Sequence, residues 1–302
     1  TLFGGEPLLP DKSTRDFMGY FISQANDRML EMALVTNGYH LKSYIPALLE
    51  GSVREIQVTL DGVGAAHDHR RPLRGGKGSF SEISEGIEAA LDAGFPVNLR
   101  MVLDKGNIDQ LPELASYALK RKWTEKPGFK TQLGRNYELH HCQANETGLY
   151  SRIKLYEDIY SLIRQHPEIL EFHKPSFSIS KFLFEEGELP DPLFDSCPGT
   201  KTEWAFDYTG RIYSCTATVG KEGEELGTYY PVRKLDKDKI QEWESRDVLA
   251  IDECRKCNLQ LACGGGCGAV ARNKTGCIRK PDCRPVKELL ELGIATYFKN
   301  EI

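Results

Sequence analysis

Apolar positions follow two alternating rhythms along the first half of the chain. Short, dense apolar runs at 32–36 (MALVT), 56–60 (IQVTL), 97–103 (VNLRMVL) and 129–133 read as strands, and Leu2-Phe3 reads as the end of an earlier one. Between them, 14–25, 44–49, 80–93, 108–120 and 149–164 space apolar residues as helices do, with Gly94 and Pro167 as stops. Strands alternating with helices of this length predict a parallel sheet wrapped by helices. In such folds ligands meet the loops at the carboxyl ends of the strands. Those loops carry Gly4-Gly5-Glu6-Pro7, Thr36-Asn37-Gly38, Asp61-Gly62 and His67-Asp68.

The rhythm changes from about Ser176. Residues 204–208 and 211–215 flank Thr209-Gly210, a turn dipeptide that predicts a hairpin. Charged, loop-rich stretches follow, then a run of cysteines, then an apolar-periodic segment at 285–298 that reads as a final helix. The expected organisation is two domains, 1–175 and 176–302, with no internal repeat.

Composition narrows the function classes. A 40% hydrophobic and 27% charged chain is ordinary for a globular protein, and a net charge of −5 speaks against nucleic-acid or polybasic membrane binding. No apolar run reaches the roughly 18–20 residues needed to cross a bilayer. The opening residues look like a chain entered mid-strand, so a truncated N-terminus is expected.

Cysteine placement carries the chemistry. Of nine cysteines, Cys142 stands alone beside His140 and His141, which read as a loop cluster without function. The other eight are Cys197, Cys215, Cys254, Cys257, Cys263, Cys267, Cys277 and Cys283. Cys254-x-x-Cys257 lets two thiolates of one turn reach one metal centre, and Cys263-Gly-Gly-Gly-Cys267 adds two more on a backbone free to approach closely. Soft thiolates select zinc or iron–sulfur clusters, and eight suffice for two cubane clusters. Spacing alone leaves iron–sulfur and structural zinc open, with a disulfide scaffold the weaker alternative. A dense cysteine run without a secretory pattern points to the reducing cytoplasm.

The cysteine pattern together with Gly210 resembles the SPASM domain of radical S-adenosylmethionine (SAM) peptide and protein maturases. The upstream motifs follow the same order: Gly4-Gly5-Glu6-Pro7-Leu8, Thr36-Asn37-Gly38, Thr59-Leu60-Asp61-Gly62, His67-Asp68, Arg71 and Gly76-Lys77-Gly78-Ser79-Phe80. The resemblance implies an α/β fold: a partial (β/α)6 TIM-like barrel lacking its first strand and cluster loop, then a small cysteine-rich α+β SPASM domain with a C-terminal helix. It implies an oxidoreductase or maturase that uses a 5′-deoxyadenosyl radical to modify a peptide or protein side chain. The implied cofactors are S-adenosylmethionine, a [4Fe–4S] cluster bound by three cysteines upstream of Thr1, and two auxiliary [4Fe–4S] clusters. The implied partners are a peptide or protein substrate and a reductant such as flavodoxin or ferredoxin, with no nucleic acid and no membrane. No cysteine precedes Cys142, so this stretch alone is expected to be inactive.

Residue by residue, the resemblance implies that Gly4, Gly5, Glu6, Thr36, Asn37, Thr59, Asp61, Arg100 and Leu133 line the cofactor. Glu6 matches an ammonium. Arg100, in a strand that alternates with buried positions, needs an anion or a solvated cavity. Asp61 is as readily a turn-forming Asp-Gly, and Leu133 as readily plain core. Gly76-Lys77-Gly78-Ser79 lacks the glycine spacing of a phosphate loop. Cys254, Cys257, Cys263 and Cys283 are implied to hold a distal auxiliary cluster, and Cys197, Cys215 and Cys267 a proximal one. Cys277 is expected to complete the proximal set, the alternative being an open site, since Glu203 stands where related sulfatase maturases place another cysteine. Thr216 follows Cys215 where those maturases carry a catalytic Asp, which disfavours formylglycine formation. No catalytic side chain is assigned. The alternatives are a metal-stabilised peptide-binding module without chemistry and a structural zinc protein.

Overall fold

The structure is a computed structural model that describes residues 1–135 and 148–298; Cys142, His140 and His141 lie outside them. The described residues divide into two compact units, 1–135 with 148–175, and 176–298.

The first unit runs α1 (Lys12–Asn26), β1 (Met32–Thr36), α2 (Leu41–Leu48), β2 (Val53–Thr59), α3 (Ala65–Arg70), α4 (Phe80–Asp92), β3 (Val97–Leu103), α5 (Leu111–Lys120), β4 (Phe129–Arg135), α6 (Arg152–Gln165) and α7 (Ile169–Phe172). The four strands form a parallel sheet in chain order, and Leu2 adds a parallel bridge to Leu34 outside β1. Helices α2 to α5 supply the crossovers that the parallel pairs require. Asp11 starts α1 by accepting from the Thr14 N–H at 3.0 Å, and Ser151 starts α6 by accepting from Lys154 at 3.2 Å.

The strand pleat divides this sheet into unlike faces. Leu34, Ile56, Val58, Leu99 and Met101 are buried, as are Met18, Leu41, Leu48 and Ile87 of helices α1, α2 and α4. Removing each such side chain from water contributes about 1.5–3 kcal/mol. The opposite face is half-exposed and polar: Glu55, Gln57 and Thr59 of β2 stand beside Asn98 and Arg100 of β3, and Lys130 and Gln132 of β4 continue the rows. A parallel sheet is normally apolar on both faces. A polar face is therefore a surface reserved for something other than core.

The second unit is looser. Its elements are α8 (Ser180–Glu186), β5 (Ala205–Phe206), β6 (Arg211–Tyr213), β7 (Gly227–Thr228), β8 (Lys234–Leu235), α9 (Lys237–Glu244), α10 (Asp252–Arg255), α11 (Gln260–Cys263), α12 (Gly268–Thr275) and α13 (Val286–Tyr297). β5 to β8 form an antiparallel meander. The sequence-predicted hairpin is present at β5–β6, while α9 lies in a stretch read from sequence as charged loop. One small core gathers Cys197, Cys215, Leu226, Trp243, Ala269 and Ile278, and another joins Val248, Ile251 and Cys254. No helix among the described residues is long and apolar enough to cross a membrane.

Candidate functional site

In the first unit the motif loops meet at the strand ends. The Glu6 carboxylate is held from three sides: Thr36 Oγ1 donates to Oε1 at 2.6 Å, the Leu8 N–H to Oε1 at 2.9 Å, and the Asn37 N–H to Oε2 at 2.7 Å. A carboxylate has about four acceptor positions, so Glu6 is fixed in direction with capacity left on Oε2. Gly4 and Gly5 turn the chain into it with φ of 87° and 58°.

This geometry gives the residues named from sequence partners within the protein. Thr36 is buried, and its hydroxyl donates to Glu6 while accepting from the Gly38 N–H at 3.1 Å. Its role is to orient Glu6, and Asn37 joins it through its backbone N–H. Asp61 is also buried: its carboxylate accepts from Arg71 Nε at 2.6 Å and from the Val102 N–H at 2.9 Å, which ties the loop after β2 to β3. Leu133 pairs with buried Met101 and so sits on the helix-covered face, away from the row of Arg100 and Gln132. Short-range pattern placed these residues at strand ends; partners far along the chain set their roles.

Thr59 and Arg100 stay on the polar face, paired in register. Arg100 Nε is buried and has no hydrogen-bond partner. Gly134 on the neighbouring strand makes room for it, since a Cβ there would stand 3.1 Å from that nitrogen. A buried guanidinium nitrogen without an acceptor costs about 1–3 kcal/mol or more, so this arrangement calls for an anionic ligand.

Sequence reading missed the lock behind this edge. His67 is fully buried, and burial lowers its pKa to about 4 against the pull of the Asp61 charge. The neutral ring accepts from the Asp61 N–H on Nδ1 at 3.2 Å, which leaves the proton on Nε2, 3.3 Å from Ser79 Oγ. Ser79 in turn donates to the Arg71 carbonyl at 3.1 Å. Asp68 Oδ1 accepts from the Ser79 and Phe80 N–H groups at 2.7 and 2.8 Å, capping α4. His67-Asp68 and Ser79-Phe80 thus clamp one loop, and their meeting after an eleven- to twelve-residue interval was the available signal.

In the second unit the thiols fall into two groups. Burial raises the Cys254 thiol, and the charges of Cys263, Cys283 and Cys257 raise it further, while burial followed by Cys263 and Cys257 does the same to Cys283. Burial and the neighbouring Cys197 raise both Cys215 and Cys267. Cys197 and Cys215 are core partners, with Cys267 packed against them. Cys277 stands apart from that core, its carbonyl accepting from Thr275 at 3.0 Å. The eight described cysteines are free thiols. Thiolates this close repel one another unless a metal charge compensates them. Gly266 permits the closure: a Cβ there would fall 2.0 Å from the Asp282 carbonyl. Among the described residues no three His, Cys, Asp or Glu side chains have the spacing of ligands to one ion. Free cysteine thiols are the donor chemistry that iron–sulfur centres take, each thiolate on its own iron.

The family model of the Radical SAM superfamily matches residues 1–118. The first unit contains a Radical SAM domain. Such a domain is an enzyme domain that works with a [4Fe–4S] cluster and S-adenosylmethionine. Similar curated proteins include a GTP 3′,8-cyclase of Campylobacter curvus, 32% identical over 120 residues, covering 39% of this chain and 35% of that protein. Another GTP 3′,8-cyclase, of Helicobacter pylori strain 26695, is 30% identical over 189 residues, covering 61% and 53%. The chain spans between 33% and 53% of the length of the first four such relatives. The solved structure of native anSMEcpe with bound AdoMet has the same fold with a TM-score of 0.68 at 17% identity, covering 98% of this chain and 82% of that one. Native anSMEcpe with bound AdoMet and Kp18Cys peptide gives a TM-score of 0.70 at 18% identity, covering 99% and 84%. The Radical SAM domain holds both the braced Glu6 and the unpartnered Arg100, a carboxylate and a cation suited to the ammonium and carboxylate of an amino-acid ligand.

Proposed function

We propose that this chain is the cofactor-binding part of a radical SAM enzyme that modifies a side chain of a peptide or protein. In this reading the parallel sheet is the wall of a partial barrel, and its polar face receives S-adenosylmethionine. Glu6 and Arg100 hold the methionine end, Thr59 borders it, and Thr36, Asn37 and Asp61 brace the loops. The second unit is a SPASM-type domain whose Cys254, Cys257, Cys263 and Cys283 hold one auxiliary cluster and whose Cys197, Cys215 and Cys267 hold another. Cys277 is left outside both sets. S-adenosylmethionine bound at a reduced cluster supplies a carbon radical able to take hydrogen from an unactivated C–H bond. The chain's own residues orient the methionine end and shield Cys197, Cys215 and Cys254 from water. A cytoplasmic setting and an electron donor of the flavodoxin or ferredoxin type accompany this reading.

The observation that carries it is the partition of the second unit's thiols into a group of four and a group of three. The fold likeness over 99% of the chain to anSMEcpe, a protein solved with AdoMet and with peptides, supports it. A second reading, a purine-nucleotide substrate, is favoured by the curated relatives named GTP 3′,8-cyclase. The test is anaerobic reconstitution of the full-length gene product, with 5′-deoxyadenosine measured in the presence of candidate peptides encoded beside the gene or of GTP. Peptide-dependent nucleoside release is the expected result. GTP-dependent release selects the second reading, and no nucleoside at full cluster content defeats the enzymatic one.

A further inference from the structure

Arg246 is fully buried, and its guanidinium reaches into every segment that carries the second unit's clustered cysteines except that of Cys215 and the Cys254–Cys257 turn. Nε donates to the Ile278 carbonyl at 2.9 Å, just after Cys277. Nη1 donates to Asp195 Oδ1 at 2.9 Å, and the same oxygen accepts from the Cys197 N–H at 3.0 Å. Nη2 donates to the Gly265 carbonyl at 2.8 Å, in the middle of the Cys263–Cys267 loop, with the Lys280 carbonyl at 3.5 Å on the approach to Cys283. The Gly265 carbonyl also accepts from the Asp282 N–H at 3.0 Å, next to Cys283. One planar fork therefore joins the loop before Cys197, the loop between Cys263 and Cys267, and the segment from Cys277 to Cys283.

The charges around this fork are unequal. Asp195 is paired with both Arg246 and Lys201, and Lys201 Nζ also donates to the Trp243 and Arg246 carbonyls at 3.1 and 3.0 Å. Asp282, the other buried carboxylate nearby, faces Lys274 at 3.9 Å. Two cations thus share one carboxylate at the node; Arg246 is the fully buried one, while the Lys201 side chain keeps 29% exposure. A buried guanidinium is costly unless anions face it; Asp195 faces Nη1, and the Cys254 thiol lies within reach of the same charge.

We propose that Arg246 is the positioning residue that holds the cysteine-bearing loops of both groups in register and supplies the positive charge their thiolates face. This rests on the cluster reading above. Lysine cannot replace the fork, because a single ammonium on a flexible stem cannot hold a carboxylate and separate carbonyls in fixed directions. Methionine removes both fork and charge. A lost positive charge disfavours the reduced, more negative state of a nearby cluster.

The experiment reconstitutes the chain anaerobically with ferrous iron and sulfide and compares the parent with Arg246→Lys, Arg246→Met and Asp195→Asn. Both Arg246 variants are expected to take up less than half the parent's iron and sulfide. Where Arg246→Met still loads, its midpoint potential should fall by about 59 mV, a tenfold change in a one-electron equilibrium, whereas Arg246→Lys should keep the parent's value. Asp195→Asn, which preserves shape, should release iron to a chelator at least threefold faster. Amide exchange of metal-free parent and Arg246→Lys adds a readout free of iron: the Asp282 and Ser196 N–H groups should exchange at least tenfold faster in the variant. A folded Arg246→Met with parental iron content and potential overturns the proposal, as does Asp195→Asn with unchanged iron release should Arg246→Met fail to fold. If the parent itself binds no iron and sulfide, the cluster reading fails, and the amide exchange still decides whether Arg246 positions the loops.

Discussion

The two units stabilise themselves by different means. The first places an aliphatic layer between one sheet face and its helices, with Ile56, Val58, Leu99 and Ile87 essentially without exposure. A run of rings, Phe80, Tyr117, Trp123, Phe129 and Phe172, continues that packing at centroid distances of 5.2 to 6.3 Å. The second unit has two-residue and three-residue strands, and thiols fill places that aliphatic side chains hold in the first. Its loops are fixed by polar nodes such as Arg246 and by tight carbonyl approaches at Gly266. The lesson is that apolar area can hold a sheet without help, whereas a loop-rich cysteine unit relies on what its thiolates bind.

Metal removal gives the sharpest break in that comparison. Chelating iron from the reconstituted protein is expected to cost the second unit on the order of 10 kcal/mol, the scale of structural metal sites in small domains. Amide exchange should collapse across residues 193–284 while the β1–β4 amides keep their protection; equal protection in both units would show that the cysteine unit stands without metal.

Acid should act on the other side of the comparison. His67 has a folded pKa of about 4, below the 6.5 of an unfolded chain, so the unfolded state takes up its proton first as pH falls. Stability of the first unit is then lost between about pH 6.5 and 4, by roughly 3 kcal/mol for this group. His67→Asn, which keeps an acceptor near Nδ1, should flatten that slope in urea melts taken across this range.

A smaller effect on stability separates ligand binding from packing. Arg100→Met removes the unpartnered buried Nε and should leave the first unit as stable or up to about 1 kcal/mol more so. Its affinity for S-adenosylmethionine, read by calorimetry on the reconstituted full-length protein, should fall at least tenfold. Unchanged affinity would remove Arg100 from the ligand face.

Cys277→Ala is expected to change least. Iron and sulfide content should equal the parent's, while Cys267→Ala should lose the share of one cluster. An equal loss in both variants would return Cys277 to the ligand set.

The helices and strands of the first unit were legible because their periods are local: α4 falls at Phe80–Asp92 and β3 at Val97–Leu103, as the apolar spacing predicts. Helix α9 was illegible because charges crowd it and Trp243 is its one buried residue. The cysteine spacing marked thiolate chemistry; which thiols neighbour one another, Cys254 with Cys257, Cys263 and Cys283, and Cys197 with Cys215 and Cys267, is set by contacts between loops far apart in the chain.

By itself the sequence determined the alternation of strand and helix, the polar motifs at the strand ends and the reservoir of thiols, all features written within a few residues of one another. Tertiary structure alone decided that Thr36 serves Glu6, that Asp61 serves Arg71, that Leu133 faces the core and that Arg246 joins the cysteine loops. The physical reason is range: pleat and helical pitch are set by neighbouring dihedrals, but a hydrogen bond such as that of Arg246 to Asp195 spans 51 residues, and only the folded chain brings its ends together.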